Sequence, residues 1–256
     1  MDGAGVAANW PGDTITIETG RIVELRRYAL RSGARETLIE LFDRELVETQ
    51  EAVGMKVLGQ FRDLDDPDSF VWLRGFSDMP TRKRALEAFY GGPTWKQHAG
   101  AANATMIDSD NVLLLRPVSG LVLEANDRPA PGSTASQPGL LVVTIYPLAD
   151  AALVDFPAFF ARELEPAFHE AGVSVLATYA TEHSPNTYPA LPVRDDAEVF
   201  VCMTIFRDEA DHARCVGELE QSSLWRDQLS HTIALHLDGQ PVVLRLTPTS
   251  RSLIHG

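Results

Sequence analysis

The chain contains the same unit twice, and this duplication constrains the fold more than any single residue does. The first copy aligns with the second after a shift of 118 positions, which becomes 130 farther along the chain. Residue pairs that recur in this way are Tyr28 with Tyr146, Phe42 with Phe160, Gly54 with Gly172, and Trp95 with Trp225. The change of shift, 130 minus 118, means that the second copy has gained 12 residues, within the stretch 181–196. Two long copies are typical of a duplicated domain, whereas a solenoid stacks many short repeats.

The length of 256 residues and the repeat together predict two domains. The predicted organisation is an N-terminal arm at 1–20, a first domain at 21–118, a linker at 119–138, a second domain at 139–250 and a tail at 251–256. The linker is rich in Pro, Gly and Ser, which predicts an exposed tether.

Charge and composition limit the classes of partner. The formal net charge of -14 argues against nucleic acid and anionic membrane surfaces as partners, because both require a basic footprint. No apolar run reaches the roughly 18 residues of a spanning helix, and residues 1–10 lack the regions of a signal peptide. The two cysteines, Cys202 and Cys215, fit a reducing compartment. We therefore expect a cytoplasmic protein.

The pattern of apolar residues predicts the same order of elements in both copies. Helix 34–53, for example, carries Leu38, Leu41 and Phe42 at spacings of three and four, which indicates one buried face. The predicted elements of the first copy are strand 22–28, helix 34–53, strands 55–61 and 70–76, helices 81–90 and 94–104, and strand 112–116. This βαββαβ order is the ferredoxin-like arrangement, with the helices on one face of an antiparallel sheet.

Each predicted sheet leaves one face open, and two open faces in one chain can cover each other. The sequence therefore predicts an α+β fold in which two tandem ferredoxin-like domains form a dimeric α+β barrel within one chain. A homodimer of this fused unit stays an open alternative.

Three segments of the first copy resemble the NIPSNAP family. Val23–Gly33 reads as a strand with Glu, Leu, Arg and Tyr followed by a Gly-containing turn, Phe70–Phe76 is an aromatic strand, and Tyr90–Trp95 follows the second helix. The resemblance extends to the second copy in weaker form. It implies membership of the dimeric α+β barrel superfamily, which includes cofactor-free monooxygenases, small-molecule isomerases, haem proteins and aldoxime dehydratases.

Fold alone does not choose among these functions, and three hypotheses stay open. The first is an enzyme or binder of a small organic molecule, working without a cofactor in a pocket between sheet and helices. As an enzyme it would be of the lyase, isomerase or monooxygenase type, and analogy with the superfamily suggests secondary metabolism. The second is a haem protein, and the third is a non-catalytic protein-interaction module.

Alternation along the first strand places Glu24, Arg26 and Tyr28 on one face. Arg26 could clamp a substrate carboxylate, while Glu24 and Tyr28 could exchange protons with the substrate. A salt-bridged seam between the copies is the structural alternative. His98, three residues after Trp95, is a candidate general base, because histidine titrates near neutral pH.

The remaining candidates are aromatic residues and histidines. The residues predicted to contact the substrate, beside Arg26, are Trp72, Trp95, Tyr146 and Tyr188, and ordinary packing is the alternative for each. His231 or His98 would be the axial ligand of a haem, and no spaced metal motif is present. Tyr188 lies in the insertion, which reads either as a surface loop or as a lid over a pocket.

Overall fold

The computed structural model describes residues 16–18, 20–124, 128–149 and 155–256. Most of the predicted N-terminal arm therefore lies outside the described residues. The elements before the second copy are β1 (Thr16–Glu18), β2 (Ile22–Leu30), α1 (Arg35–Leu41), a π-helical segment (Phe42–Leu46), α2 (Val47–Glu51), β3 (Lys56–Asp63), β4 (Ser69–Phe76), α3 (Met79–Tyr90), α4 (Pro93–Thr105), β5 (Met106–Ser119) and β6 (Val122–Glu124). Those that follow are β7 (Leu140–Pro147), α5 (Phe156–Phe159), a π-helical segment (Phe160–Leu164), α6 (Glu165–Glu170), β8 (Ser174–Thr181), β9 (Val199–Phe206), α7 (Glu209–Gln221), a π-helical segment (Trp225–Leu229), α8 (Ser230–His236) and β10 (Val242–Pro248).

Eight strands close into one antiparallel barrel, in the order β10-β3-β4-β2-β5-β8-β9-β7. We call β2 to β5 the first half and β7 to β10 the second half. Within each half, numbered from its own first strand, the spatial order is 2-3-1-4. The halves join at two seams, where β5 pairs with β8 and β10 pairs with β3. The expectation that the two sheets cover each other is confirmed at the level of a mixed α+β fold with a closed barrel.

The interior of the barrel is the shared core of the two halves. Every strand contributes buried apolar side chains to it, among them Leu25, Leu58, Leu73, Leu115, Val143, Tyr179, Met203 and Leu246. Burial of an aliphatic or aromatic side chain of this kind contributes roughly 1.5–3 kcal/mol. The barrel therefore stabilises both halves at once.

The prediction of an exposed tether applies to part of the linker only: residues 130–138 are exposed or half-buried, whereas the start of the linker and the tail contribute to this core. Leu121 and Leu123 of the linker and Ile254 of the tail pack into the barrel cluster. Arg128 donates to the backbone oxygens of Arg251 at 2.6 Å and Val57 at 2.7 Å. A barrel of this size needs its ends covered by apolar side chains, which a Pro- and Gly-rich composition did not reveal.

The repeat extends to irregular details of the backbone. The π-helical segments at Phe42–Leu46 and Phe160–Leu164 lie 118 positions apart. Gly54 and Gly172, which follow those helices, both have positive φ, 94° and 78°, a conformation that favours glycine. The N-terminus of α3 is capped by Asp78 and that of α7 by Asp208, each accepting from a backbone N–H three residues on.

The helices lie outside the barrel in two separate layers. The first-half layer includes Tyr188, Leu191 and Val193 of the insertion, whereas the second-half layer contains residues of its own half. The insertion lies in the segment 182–198, which connects β8 to β9. This segment extends from the second half and covers the helix–sheet layer of the first half. Within the described ranges, no helix is both long and apolar enough to cross a bilayer.

Candidate functional site

The strand register brings corresponding residues of the two halves to the same place beneath the helices. In the first half Glu24 of β2 lies opposite Arg74 of β4. In the second half Val142 of β7 lies opposite Thr204 of β9. The two helix–sheet layers therefore have the same frame and different chemistry.

In the first half, one carboxylate holds three guanidinium groups. Glu24 Oε2 lies 2.7 Å from Arg26 Nη1 and accepts a 2.8 Å bond from Arg74 Nε. Glu24 Oε1 accepts a 2.6 Å bond from Arg82 Nε. Arg26 Nε also donates to the Tyr28 hydroxyl at 3.0 Å. All four charged side chains are at most 1% exposed, and we call them the Glu24 cluster.

Electrostatics keep this cluster ionised. Burial by itself would raise the pKa of Glu24, but the charges of Arg74, Arg26 and Arg82 outweigh it and hold that pKa well below its usual range. Burial raises the pKa of Tyr28, so its phenol stays protonated. These four ionised side chains occupy the space between the sheet and the helices of the first half.

The first half leaves little free space beside this cluster. Its helix–sheet layer holds a cavity of only about 30 Å³, with walls that include Tyr28, Trp72, Tyr90 and Trp95. Tyr188 of the insertion stacks on Tyr90, with ring centroids 6.0 Å apart. A volume of this size is suited to a water molecule and excludes an organic ligand.

The second half holds a cavity of about 460 Å³ at the corresponding place. Its walls come from the sheet and from α7 and α8, and are mostly apolar; they include Val142, Phe168, Phe206, Val216, Trp225 and Ile233. Val243 of β10 forms part of the wall and is 51% exposed, which shows that the cavity opens to solvent there.

The difference between the halves follows from four substitutions. At the repeat shifts of 118 and 130, the members of the Glu24 cluster correspond to smaller or uncharged residues of the cavity wall: Glu24 to Val142, Arg26 to Thr144, Arg74 to Thr204 and Arg82 to His212. Short side chains replace long ones, so the space that guanidinium groups fill in the first half stays free in the second. The turn between β3 and β4 in the first half is also short. It therefore gives the second half no cover comparable to the one that the insertion gives the first half.

A few polar groups interrupt the apolar wall. The hydroxyl of Thr204 donates to the Val142 carbonyl at 3.3 Å. Burial raises the pKa of Tyr146, so its hydroxyl is a neutral hydrogen-bonding group. His212 lies on α7 with its ring against Phe206, at a centroid distance of 4.8 Å. Burial, and then the nearby charge of Arg245, lower the pKa of His212 below 6.5, so its imidazole is neutral at pH 7.

Comparison with known families decides the identity of the first half. Residues 23–120 match the family model described as NIPSNAP. The first half is a NIPSNAP domain. No curated protein matches the chain. The NIPSNAP match does not extend to the second half, which aligns with the first through the internal repeat.

Solved structures show a similar overall architecture at low identity. The chain is similar to an anthrone oxidase-like protein with a TM-score of 0.59 and 11% identity, over 94% of this chain and 99% of that one. It is similar to a candidate monooxygenase of Fusobacterium nucleatum (TM-score 0.58, 10% identity, 91% and 94% coverage). A candidate monooxygenase of Lactobacillus acidophilus gives a TM-score of 0.56 at 12% identity, with 90% and 94% coverage. At such identities these structures establish a shared fold, with both halves included.

The structure distributes the predicted site residues over several places. Glu24, Arg26, Tyr28 and Trp72 come together in the NIPSNAP half, where Arg26 lies 5.6 Å from the Trp72 ring. The other aromatic candidates divide between the two layers: Trp95 and Tyr188 pack on Tyr90, and Tyr146 lines the large cavity. Whether any of them acts on a substrate stays a prediction.

The predicted haem ligands do not fit a haem site. His98 is absent from both cavity walls, and its Nε2 lies 3.8 Å from the carboxylate of Glu45 at the surface. His231 is exposed on α8, beside Ser230 at 3.4 Å, and is likewise absent from the walls. In the part of the chain that the structure describes, no three His, Cys, Asp or Glu side chains are placed to hold a metal ion. We therefore derive no step through haem.

His212 is the residue of the cavity wall that the sequence reasoning missed as a site candidate. It has no motif around it, although it shares the inward face of α7 with Cys215, Val216 and Leu219. A signal was nevertheless present, because the shift of 130 places Arg82 on His212. Reading the repeat for its differences, in addition to its matches, would have identified this position.

Proposed function

We propose that the second half binds a small, uncharged, ring-containing organic molecule in the cavity beneath α7 and α8. The observation that carries this proposal is the exchange of the Glu24 cluster for Val142, Thr144, Thr204 and His212, which leaves a cavity of about 460 Å³ where the corresponding layer of the first half holds one of about 30 Å³. We also infer that each half is a ferredoxin-like unit and that the chain is a fused pseudo-dimer. On that view each half once had a pocket between its sheet and its helices. The Glu24 cluster now fills the pocket of the first half, and the pocket of the second half is retained.

The wall of the cavity supports a neutral ligand. Its volume lies within the roughly 300–1,000 Å³ of small-molecule sites. No lysine or arginine is among its described lining residues, so a carboxylate-bearing substrate would find no positive partner there. Tyr146, Thr144 and His212 offer hydrogen bonds within a mostly apolar wall, which suits a phenol or ketone on an aromatic ring.

The names of the structural relatives suggest which reaction to test first. Oxidation of an anthrone-type methylene group by molecular oxygen breaks two C–H bonds and forms one C=O bond. The carbon gives up four electrons, one oxygen atom enters the product and the other leaves as water, so substrate and oxygen suffice for the balance. In this proposal neutral His212 removes the first proton, because general bases work best when their pKa lies near or below the working pH.

Anthrone is the probe for this function. We expect saturable one-to-one binding by isothermal titration calorimetry, and oxygen uptake on an oxygen electrode with anthraquinone as product. Binding without oxygen uptake would reduce the proposal to a binding protein. Absence of saturable binding of both anthrone and a hydroxynaphthalene would refute it.

Replacement of His212 by Ala is expected to lower kcat/KM for anthrone by about 100-fold or more, the usual range for loss of a general base, with little change in Kd. The wild-type rate should rise with pH through the lowered pKa of His212, below 6.5, and reach a plateau above it. This acid limb should vanish in the variant. His231→Ala, on the exposed side of α8, is the matched control, and equal rates in the two variants would exclude His212 as the base.

A further inference from the structure

The Glu24 cluster carries more positive than negative charge. In the described part of the chain, Arg26, Arg74 and Arg82 form ion pairs with Glu24 and with no other carboxylate. Three cations and one anion leave a formal excess of two positive charges among side chains that are at most 1% exposed. Tyr28 does not offset it, because its phenol is protonated. Buried charge without a counter-ion is costly, so an anion would be favoured here.

Besides Arg74 Nη2, which lies 2.8 Å from Glu24 Oε2 without forming a hydrogen bond, two donors of this region have no partner. Arg82 Nη2 and Trp72 Nε1 are buried and have no hydrogen-bond partner in the described residues. Trp72 lies against the cluster, 5.0 Å from the Arg74 guanidinium. Nearly all buried N–H groups in proteins are paired, so each of these two donors could accommodate an additional acceptor, and that of Arg82 belongs to the cluster itself.

The cover over Arg82 is made by the insertion. Arg82 Nη1 donates to Asn186 Oδ1 at 3.0 Å and to Thr187 Oγ1 at 3.3 Å. Both acceptors are neutral, and residues 182–198 contain no helix or strand. Long irregular segments in compact domains are often functional lids. An oxyanion would be a stronger acceptor for Arg82 than the amide and hydroxyl that contact it now.

We propose that residues 182–198 form a lid over an oxyanion site in the NIPSNAP half, and that Arg82, with Arg26 and Arg74, binds the oxyanion when Asn186 and Thr187 move away. The ligand class is a carboxylate or a phosphate, alone or on a small organic molecule. This site is separate from the cavity of the second half, and it would complement the excess charge that the cluster carries.

The test uses the full chain, with Asn186→Ala combined with Thr187→Val to remove both lid acceptors. Inorganic phosphate and acetate are titrated separately, against sodium chloride at equal ionic strength, and thermal unfolding gives the apparent Kd. We expect one of the oxyanions to stabilise this double variant and to bind it about tenfold more tightly than the wild type, since two bonds to a charged donor no longer compete. The oxyanion that binds identifies the class. Stabilisation no larger than that by chloride, in both proteins, would overturn the proposal.

Addition of Arg82→Gln to the double variant is expected to weaken oxyanion binding at least tenfold, and it lowers the excess charge by one, so folding should be preserved. Arg194→Gln, a half-exposed arginine of the same insertion, should leave binding unchanged. Hydrogen exchange of residues 182–198 should change on oxyanion addition. Undiminished binding in the Arg82 variant would exclude the site. Anthrone binding should be the same in all of these proteins, which separates this proposal from the function proposed for the second half.

Discussion

Replacement of Glu24 by Gln is expected to lower the free energy of unfolding by about 3–5 kcal/mol, the range for breaking a buried ion network by removal of one partner. The variant leaves three guanidinium groups buried with no anion among them. A single domain is stable by only about 5–15 kcal/mol, so this loss would bring the protein close to unfolding at ambient temperature. Urea denaturation followed by circular dichroism measures the change.

The matched control is Glu36→Gln, which removes the same charge from an ion pair with Arg62 at the surface, where Glu36 is 56% exposed. Exposed pairs contribute at most about 1 kcal/mol. Removal of one cation as well, in Glu24→Gln with Arg82→Gln, should restore part of the loss. Equal midpoints for the Glu24 and Glu36 variants would contradict the network.

The same residue predicts the pH dependence of stability. The pKa of Glu24 is lowered in the folded state, so its contribution is present above the unfolded value near 4.5 and is lost as the pH falls through the folded value. The gap between the wild type and the Glu24 variant should therefore persist at pH 5 and narrow only in stronger acid.

Replacement of Val216 by Trp is expected to abolish anthrone binding, because Val216 lines the large cavity from α7 and an indole would occupy the ligand's space. The expected result is the loss of saturable binding, because a built-in clash excludes the ligand. Stability should change little, since the new ring enters free volume. Calorimetric titration and thermal unfolding give the two quantities.

Two controls make this result specific. Ala213→Trp places the same side chain on the exposed face of α7 and should bind anthrone normally. Leu86, which corresponds to Val216 at the shift of 130, is fully buried in the NIPSNAP half. Leu86→Trp should therefore destabilise the protein by about 1–3 kcal/mol or more through overpacking. Normal anthrone binding by the Val216 variant would place the ligand elsewhere.

The fold was accessible from sequence because its signals are local. Periods of two and of 3.6 residues mark each strand and helix, and the repeat shows that the same order occurs twice. Edge-free closure then follows from two sheets that each have one uncovered face. The packing of Leu121, Leu123 and Ile254 into the barrel could not be predicted. An apolar residue in a predicted linker or tail has no periodic pattern around it that would distinguish burial from exposure.

The candidate site was accessible only in part. Alternation along β2 placed Glu24, Arg26 and Tyr28 on one face, and they do lie together. Arg74 and Arg82, 50 and 58 residues from Glu24, were not named, because their contact depends on strand register and on the docking of α3. The excess of positive charge became visible only with all three arginines in place.

By itself the sequence determined the duplication, the order of elements and the loss of Glu24 and Arg26 in the second copy. Tertiary structure alone decided which half is filled and which is open. The physical reason is that free volume is a property of packing between distant segments. Four side chains from β2, β4 and α3, and an insertion from the opposite half, close one layer, and the corresponding small residues leave the other accessible to a ligand.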